Sequence, residues 1–217
     1  MKPIILFEDT HVIVCKKPAG TPTQTHHISQ PDMVSILKNH LAENATSNTE
    51  PYLGVVHRLD QPVEGLLAFA KTPFAAKELS RQVANHQFHK NYRATLCGIP
   101  PESSDTLVDY LTKLPKENRS KITTSKDSSA KKATLTYTVT DDLTSSELTE
   151  VNIELKTGRH HQIRVQMANM GCPILGDTKY NPQPFPYGET LPLALCAYKL
   201  EFAHPKSKEF LSFELPI

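Results

Sequence analysis

The chain lacks a charge excess, a paired-cysteine motif, an internal repeat and a hydrophobic leader, and each absence excludes something. Twenty-four Lys and Arg against 23 Asp and Glu leave a net charge of +1. Overall basicity therefore does not attract a polyanion, and any phosphate-binding surface has to come from a local excess. The opening apolar run, Ile4-Ile5-Leu6-Phe7, stops at Glu8-Asp9. That is too short for a signal segment or a membrane span and points to the cytoplasm. Cys15, Cys97, Cys172 and Cys196 stand far apart among small or apolar neighbours with no C-x-x-C. This pattern predicts reduced, buried thiols rather than disulfides or metal ligands. The pairs His26-His27 and His160-His161 have no acidic or Cys partners to complete a metal set, and adjacent side chains on a regular element point apart, so no metal site is predicted.

What is present suits one sizeable core: 217 residues, 38% hydrophobic and 22% charged, read as a single domain over 1–217. Ile4–Phe7 and His11–Lys16 read as short strands, followed by Lys17-Pro18-Ala19-Gly20-Thr21-Pro22, a loop whose prolines and glycine forbid regular structure. Asp32 is an N-cap for a helix near 33–42 with Val34, Leu37 and Leu41 on one face, and 43–51 is a polar loop. Thr72-Pro73 starts a second helix, to about Asn85, with Ala75, Leu79 and Val83 inward. Strands are expected at 90–96, 133–140, 148–155, 194–202 and 209–215, with an acidic hairpin turn over 141–147. A third helix is expected over 158–170, closed by Gly171. Strands outnumber helices without regular alternation, so the class is α+β around a mixed, mostly antiparallel sheet. From Asp109 to Lys132, seven basic residues face three acidic ones. That stretch, with Lys113, Lys116, Arg119 and Lys121, is either an RNA-facing surface or a solvated polar hairpin.

Two stretches could carry chemistry. In His57-Arg58-Leu59-Asp60-Gln61-Pro62-Val63-Glu64-Gly65-Leu66, Asp60 lies between the apolar pair Val55-Val56 and the run Leu67-Ala68-Phe69-Ala70. A carboxylate placed so is costly unless paired, so it is either tied down structurally or kept ionised for chemistry. In the second stretch, Lys156 to Met167, a helix would bury Ile163 and Met167, with Met170 on the same stripe, and set His160 and Arg164 one turn apart on a neighbouring face. An Arg that close to an apolar stripe needs an anion. Asp60 is the obvious one, although a purely structural salt bridge fits these residues equally well.

The first stretch resembles the HRLD motif of the RluA-type pseudouridine synthases. Thr157, Gly158, Arg159, His161, Gln162, Ile163, Arg164, Gly171, Pro173, Ile174, Gly176, Asp177 and Tyr180 match that family's pattern TGR-x-HQIR followed by G-x-PI-x-GD-x-x-Y. Lys90-Asn91-Tyr92 is similar to its K-x-Y segment, and FEDTHVIVCKKPAG and LCAYKLEFAHP are similar to its flanks, so the likeness runs from about 7 to 213. The resemblance implies a pseudouridine-synthase catalytic domain with a central cleft. It implies isomerisation of specific uridines in ribosomal or transfer RNA, by an aspartate and with no cofactor or metal. By the same resemblance Asp60 is the catalytic aspartate, Tyr92 packs on the target uracil and Arg164 is the basic partner of the aspartate, with His57 and Arg58 beside the substrate. The partner is RNA, with no protein partner or membrane, and the default state is a monomer. The chain departs from the pattern in three places. Gln61 stands where an Arg is common, so no cation there wedges into the RNA stack; Glu64 lies four residues from Asp60; and Gln166 replaces a frequent His. Strand-like sequence begins at Ile4, so no separate RNA-binding domain is expected ahead of the catalytic one, and specificity would rest on the catalytic domain, through the 113–132 region and the loop from Lys17.

Two rival readings use the same residues. A glycosidase would pair Asp60 with Glu64, but two carboxyl groups about 5–9.5 Å apart across a bond would arise from this Pro62-containing loop only by accident. An RNA-binding protein that has lost catalysis would explain the near-neutral charge and Gln61, but gives no reason to retain Asp60, Tyr92 and Arg164 together. The Pro-rich stretch 181–192 reads as a surface loop in which Phe185 and Tyr187 would border an RNA cleft.

Overall fold

The computed structural model describes every residue except 1, 27–28, 44–48, 144–146, 186–187, 189 and 217, and only the backbone of 141–143. Tyr187, His27, most of the 43–51 loop and the tip of the 141–147 turn therefore lie outside the described residues. The chain folds as two compact units, Met1–Lys90 with Ala197–Ile217, and Asn91–Cys196. The architecture is α+β, mostly antiparallel, with eleven strands and three α-helices among the described residues. No helix among them is long and apolar enough to cross a membrane.

In the first unit, β1 (Ile4–Glu8) pairs antiparallel with β2 (Val12–Lys17). β2 pairs with β4 (Glu64–Ala70), and the short β3 (Gly54–Val55) also lies on β4. β10 (Leu195–Ala203) borders β4 and carries β11 (Phe210–Glu214). Val12 to Cys15 and Leu66 to Ala70 are buried without alternation, as expected of strands covered on both faces. Helix α1 (Met33–Glu43) begins where Asp32 predicts. The Asp32 carboxylate accepts from the Ser35 amide at 2.7 Å and Ser35 Oγ accepts from the Asp32 amide at 3.1 Å, a reciprocal cap. Its buried face is Met33, Ile36 and Leu37 rather than Val34, Leu37 and Leu41. Helix α2 (Pro73–Ala84) is capped by Thr72, whose hydroxyl accepts from the Ala75 amide. It buries Ala75, Leu79 and, in place of the expected Val83, Gln82. The Gln82 carboxamide donates to the Ala203 carbonyl at 2.7 Å and accepts from the Ala203 amide at 2.9 Å, completing the end of β10 as another strand would.

The second unit is an antiparallel run in the order β5 (His89–Cys97), β9 (Leu148–Leu155), β8 (Lys131–Leu143), β6 (Ser104–Leu114), β7 (Arg119–Thr123). The strands β6 and β7 form a hairpin within the stretch read from the sequence as either an RNA-facing surface or a solvated polar hairpin, with β6 starting earlier, at Ser104. Most of their exposed residues are polar, Val108 excepted, so no regular apolar alternation marks them, and pairing of β6 with β8 and of β7 with β6 makes them strands. Helix α3 (Gln162–Asn169) is shorter than expected, starting after His161, whose φ of 53° lies in the left-handed region. It closes as the sequence predicts: Gly171, at φ 91°, donates to Ala168 O, and the Cys172 amide donates to Met167 O, both at 3.1 Å.

Gly65 sits at φ 132°, and a Cβ there would stand 2.4 Å from the Ala197 carbonyl oxygen and 2.6 Å from its nitrogen. Backbone meets backbone at that point, so nothing can move aside. Gly65→Ala is expected to cost about 3 kcal/mol or more, whereas Gly20→Ala, at φ 83° in open space, costs only about 1 kcal/mol. Urea unfolding of the two variants checks the difference.

Candidate active site

The segment from His57 to Val63 is an extended passage between β3 and β4, with His57, Leu59 and Val63 buried and Arg58 exposed. Three sets of hydrogen bonds fix its path. The Thr23 hydroxyl donates to Leu59 O at 3.0 Å and accepts from the Leu59 amide at 3.2 Å. The Asp60 carbonyl accepts from the Val63 amide at 3.1 Å, closing a turn over Gln61-Pro62. Gln61 O accepts from the Gly20 amide at 2.9 Å, while its carboxamide donates back to Gly20 O at 3.0 Å. The half-buried Asp60 carboxylate is thus presented on a turn whose backbone is held from both sides.

Beneath that turn lies Lys17, fully buried. Its ammonium donates to Pro18 O at 3.0 Å, Thr21 O at 2.8 Å and Gln61 O at 3.0 Å, which uses all three of its protons. Burial pulls its pKa down to about 8, while the negative charges of Asp60 and Glu64 act in the other direction. The sequence marked this loop as shaped but gave no sign that a charge lies inside it. Glu64, the second departure from the family pattern, pairs with Lys16 at 3.4 Å.

His57 belongs to the core of this unit. Its Nε2 accepts from the Ala68 amide at 3.0 Å, and its ring lies 4.8 Å from that of Phe88. Burial, reinforced by the charge of Lys90, drops its pKa to about 3, so the ring is neutral. Lys90 is itself lowered by burial.

In the second unit, the turn before α3 is held by Gln162, whose Oε1 accepts from Thr157 Oγ1 at 2.7 Å and from the Arg159 amide at 3.0 Å. Arg164, 3% exposed, meets an anion within its own unit. Nε donates to Asp177 Oδ2 at 2.8 Å and Nη2 to Asp177 Oδ1 at 2.7 Å. The sequence named only Asp60 for that need; Asp177 lay in the matched motif without a role. The Arg164 guanidinium is 5.3 Å from the Tyr180 ring centroid and that of Arg119 is 5.1 Å from it. The Tyr180 hydroxyl accepts from the Ser120 amide at 2.7 Å and lies 2.8 Å from His161 Nδ1. Desolvation, with Arg164 and other nearby positive charges, lowers the His161 pKa to about 3, so this imidazole is neutral. His160 and His161 do not point apart. Because His161 is left-handed rather than helical, their rings stack at 3.8 Å, and Ser120 Oγ donates to the His160 carbonyl at 2.7 Å. Gln166 is buried and donates to Asp109 at 2.7 Å.

Tyr92 is 6% exposed, on the buried face of β5 with Ala94 and Leu96. Lys113, Lys116, Arg119 and Lys121 are all exposed. Cross-strand pairing sets Lys113 beside Ser120, and Arg119 and Lys121 beside Leu114 and Thr112 on the alternate face of the hairpin. Among the described residues no group of three or more His, Cys, Asp or Glu could hold a metal ion.

A family model described as RNA pseudouridylate synthase matches residues 11–169. The chain is 34% identical over 220 residues to a Nitrosomonas europaea protein named ribosomal large subunit pseudouridine synthase D, covering 98% of this chain and 61% of the relative. It is 32% identical over 219 residues to Bacillus subtilis YlyB, named an uncharacterized RNA pseudouridine synthase, covering 98% and 68%. It thus spans 61% of the length of the first of these relatives. The solved structure of human RNA pseudouridylate synthase domain containing 4 shares the fold, with a TM-score of 0.83 over 99% of this chain and 88% of that one, at 22% identity.

Lys17→Met leaves three carbonyls without their donor. Hydrogen exchange at the Gly20 and Val63 amides is expected to rise by about tenfold or more, the equivalent of roughly one lost hydrogen bond. His57 supplies a pH test. Its folded value of about 3 lies below the ordinary 6.5, so the unfolded chain takes up the extra proton in between, and stability falls as pH drops through 6.5 towards 3. Between pH 7 and 5 that loss is about 2 kcal/mol, and His57→Gln is expected to remove it from the urea unfolding curves.

Proposed function

Since the chain belongs to the RNA pseudouridine synthases, we propose that it isomerises uridine to pseudouridine in RNA, with large-subunit ribosomal RNA the first substrate to test and transfer RNA the second. The reaction breaks the bond between uracil N1 and ribose C1′, rotates the base and joins C5 to C1′. The C5 proton leaves and N1 gains one, so atoms and electrons balance with no cofactor, metal or redox partner. In this reading Asp60 is the catalytic carboxylate, acting either as nucleophile or as the base that starts an elimination. Tyr92 packs on the uracil, and Arg164 is the basic partner of the carboxylate. Lys113, Lys116, Arg119 and Lys121 meet RNA phosphates. Extruding the base costs a few kcal/mol of unstacking, which those phosphate contacts help to offset. His57, buried and neutral, supports the strand beside the aspartate rather than touching substrate, and the exposed Arg58 is free to reach the RNA.

The observation that carries this reading is the Asp60 turn, held by Lys17, Thr23 and Gly20. A half-buried carboxylate on so constrained a backbone suits chemistry that needs an oriented anion. The naming of one relative for the large ribosomal subunit favours ribosomal RNA as the substrate.

The test uses RNA transcripts tritiated at uridine C5, from which the reaction releases tritium. Wild type is expected to release it from at least one ribosomal or transfer RNA. Asp60→Asn should bind the same RNA yet release tritium at least about 1,000-fold more slowly. Undiminished release by Asp60→Asn would remove the aspartate from the mechanism. RNA binding by wild type with no release from any cellular RNA would favour a binding protein of this fold.

A further inference from the structure

Arg164 and Asp177 form a desolvated ion pair, 4% and 0% exposed at the side chain. Such a pair repays its desolvation only when the geometry is good and the remaining lone pairs are occupied. Both conditions hold. The two contacts are the parallel bonds of a fork on a carboxylate, and Asp177 Oδ1 also accepts from the Lys179 amide at 3.0 Å and the Tyr180 amide at 3.3 Å. The backbone beneath is pinned as well. The Asp177 amide donates to Ile174 O and its carbonyl accepts from Asn181, while Gly176 before it, at φ 75°, packs so closely on Pro192 that a Cβ would come within 2.2 Å of the carbonyl oxygen. The Tyr180 ring, fixed at its hydroxyl, borders the guanidinium. One edge of Arg164 is therefore committed to Asp177, which fixes both the plane of the guanidinium and the direction of its other edge.

We propose that Asp177 is a positioning residue of the reaction, acting through Arg164. It holds the guanidinium as an oriented donor and cancels its charge, so that Arg164 contributes direction to catalysis and little long-range attraction to RNA. The proposal rests on the reading of Arg164 as the basic partner of the catalytic carboxylate. A buried neutral pair is a poor phosphate magnet but a good template.

The test is a double-mutant cycle on the full chain, read by single-turnover tritium release and by RNA affinity. Asp177→Asn is expected to slow release by about 100-fold, the scale of a misplacement near 1 Å, with no weakening of RNA binding; because the substitution uncovers the guanidinium charge, any change in Kd is a tightening that added salt removes. In an Arg164→Lys background the same change should cost nothing further. If Asp177→Asn does not fold, Asp177→Glu keeps the charge and moves the fork, and slow release is expected, here with the Kd for RNA and its salt dependence unchanged within about twofold. Wild-type release by a folded Asp177 variant, an equal loss in both backgrounds, or a loss that appears as weakened RNA binding would each overturn the proposal. Full activity in Arg164→Lys alone would overturn it by removing the role of Arg164, and would leave the synthase reading, which Asp60→Asn tests, standing.

Discussion

A fully buried ammonium must meet three acceptors or lose its proton, and Lys17 finds them at Pro18, Thr21 and Gln61. Two of these carbonyls lie in the loop that follows it and the third lies 44 residues away, on the turn that presents Asp60. One side chain thereby ties two irregular segments together and sets the backbone beneath the carboxylate. A compact point charge with three protons suits three carbonyls in a way that a planar guanidinium does not. The departures from the family pattern fit the same arrangement. Gln61 grips Gly20 through its carboxamide, and Glu64 is matched by Lys16.

The second unit meets the same requirement by the other route. Arg164 is planar and always charged, and its partner is a carboxylate taken by the fork. Each unit also holds a buried imidazole that has given up its charge. His57 accepts from a strand amide and His161 lies against the Tyr180 phenol. Among the described residues the interior thus carries two fully buried cations, each satisfied in the geometry natural to it, beside neutral imidazoles. Asp177 and Tyr180 lie three residues apart in one motif and serve the same guanidinium, one at its edge and the other at its face.

Helix ends were legible because caps are local. Thr72-Pro73 and Asp32 with Ser35 define their helices within four residues, and Gly171 closes α3 by the backbone conformation glycine tolerates. Helix faces were less legible. Gln82 is buried in place of Val83 because β10 ends beside it and offers an unpaired amide and carbonyl, a partner 121 residues distant. The expected helix over 158–161 does not form because Gln162 holds that turn and Ser120, on β7, holds His160. β6 and β7 were legible only as a polar hairpin, since pairing with β8 and with each other, not their own periodicity, sets the ends of these strands.

Among the candidate site residues, Asp60, Tyr92 and Arg164 were proposed from the sequence alone, through motifs whose residue types and spacing are local and ordered. The sequence also placed the N-caps of α1 and α2 and the glycine that closes α3. Only the tertiary structure decided which anion the Arg164 fork grips, that Lys17 is buried under the Asp60 turn, and that His57 is a neutral core ring. Each of these depends on burial and on partners brought together by packing or by strand pairing, and the cost of an unpaired charge depends on its distance from water, which has no signature in the order of the residues.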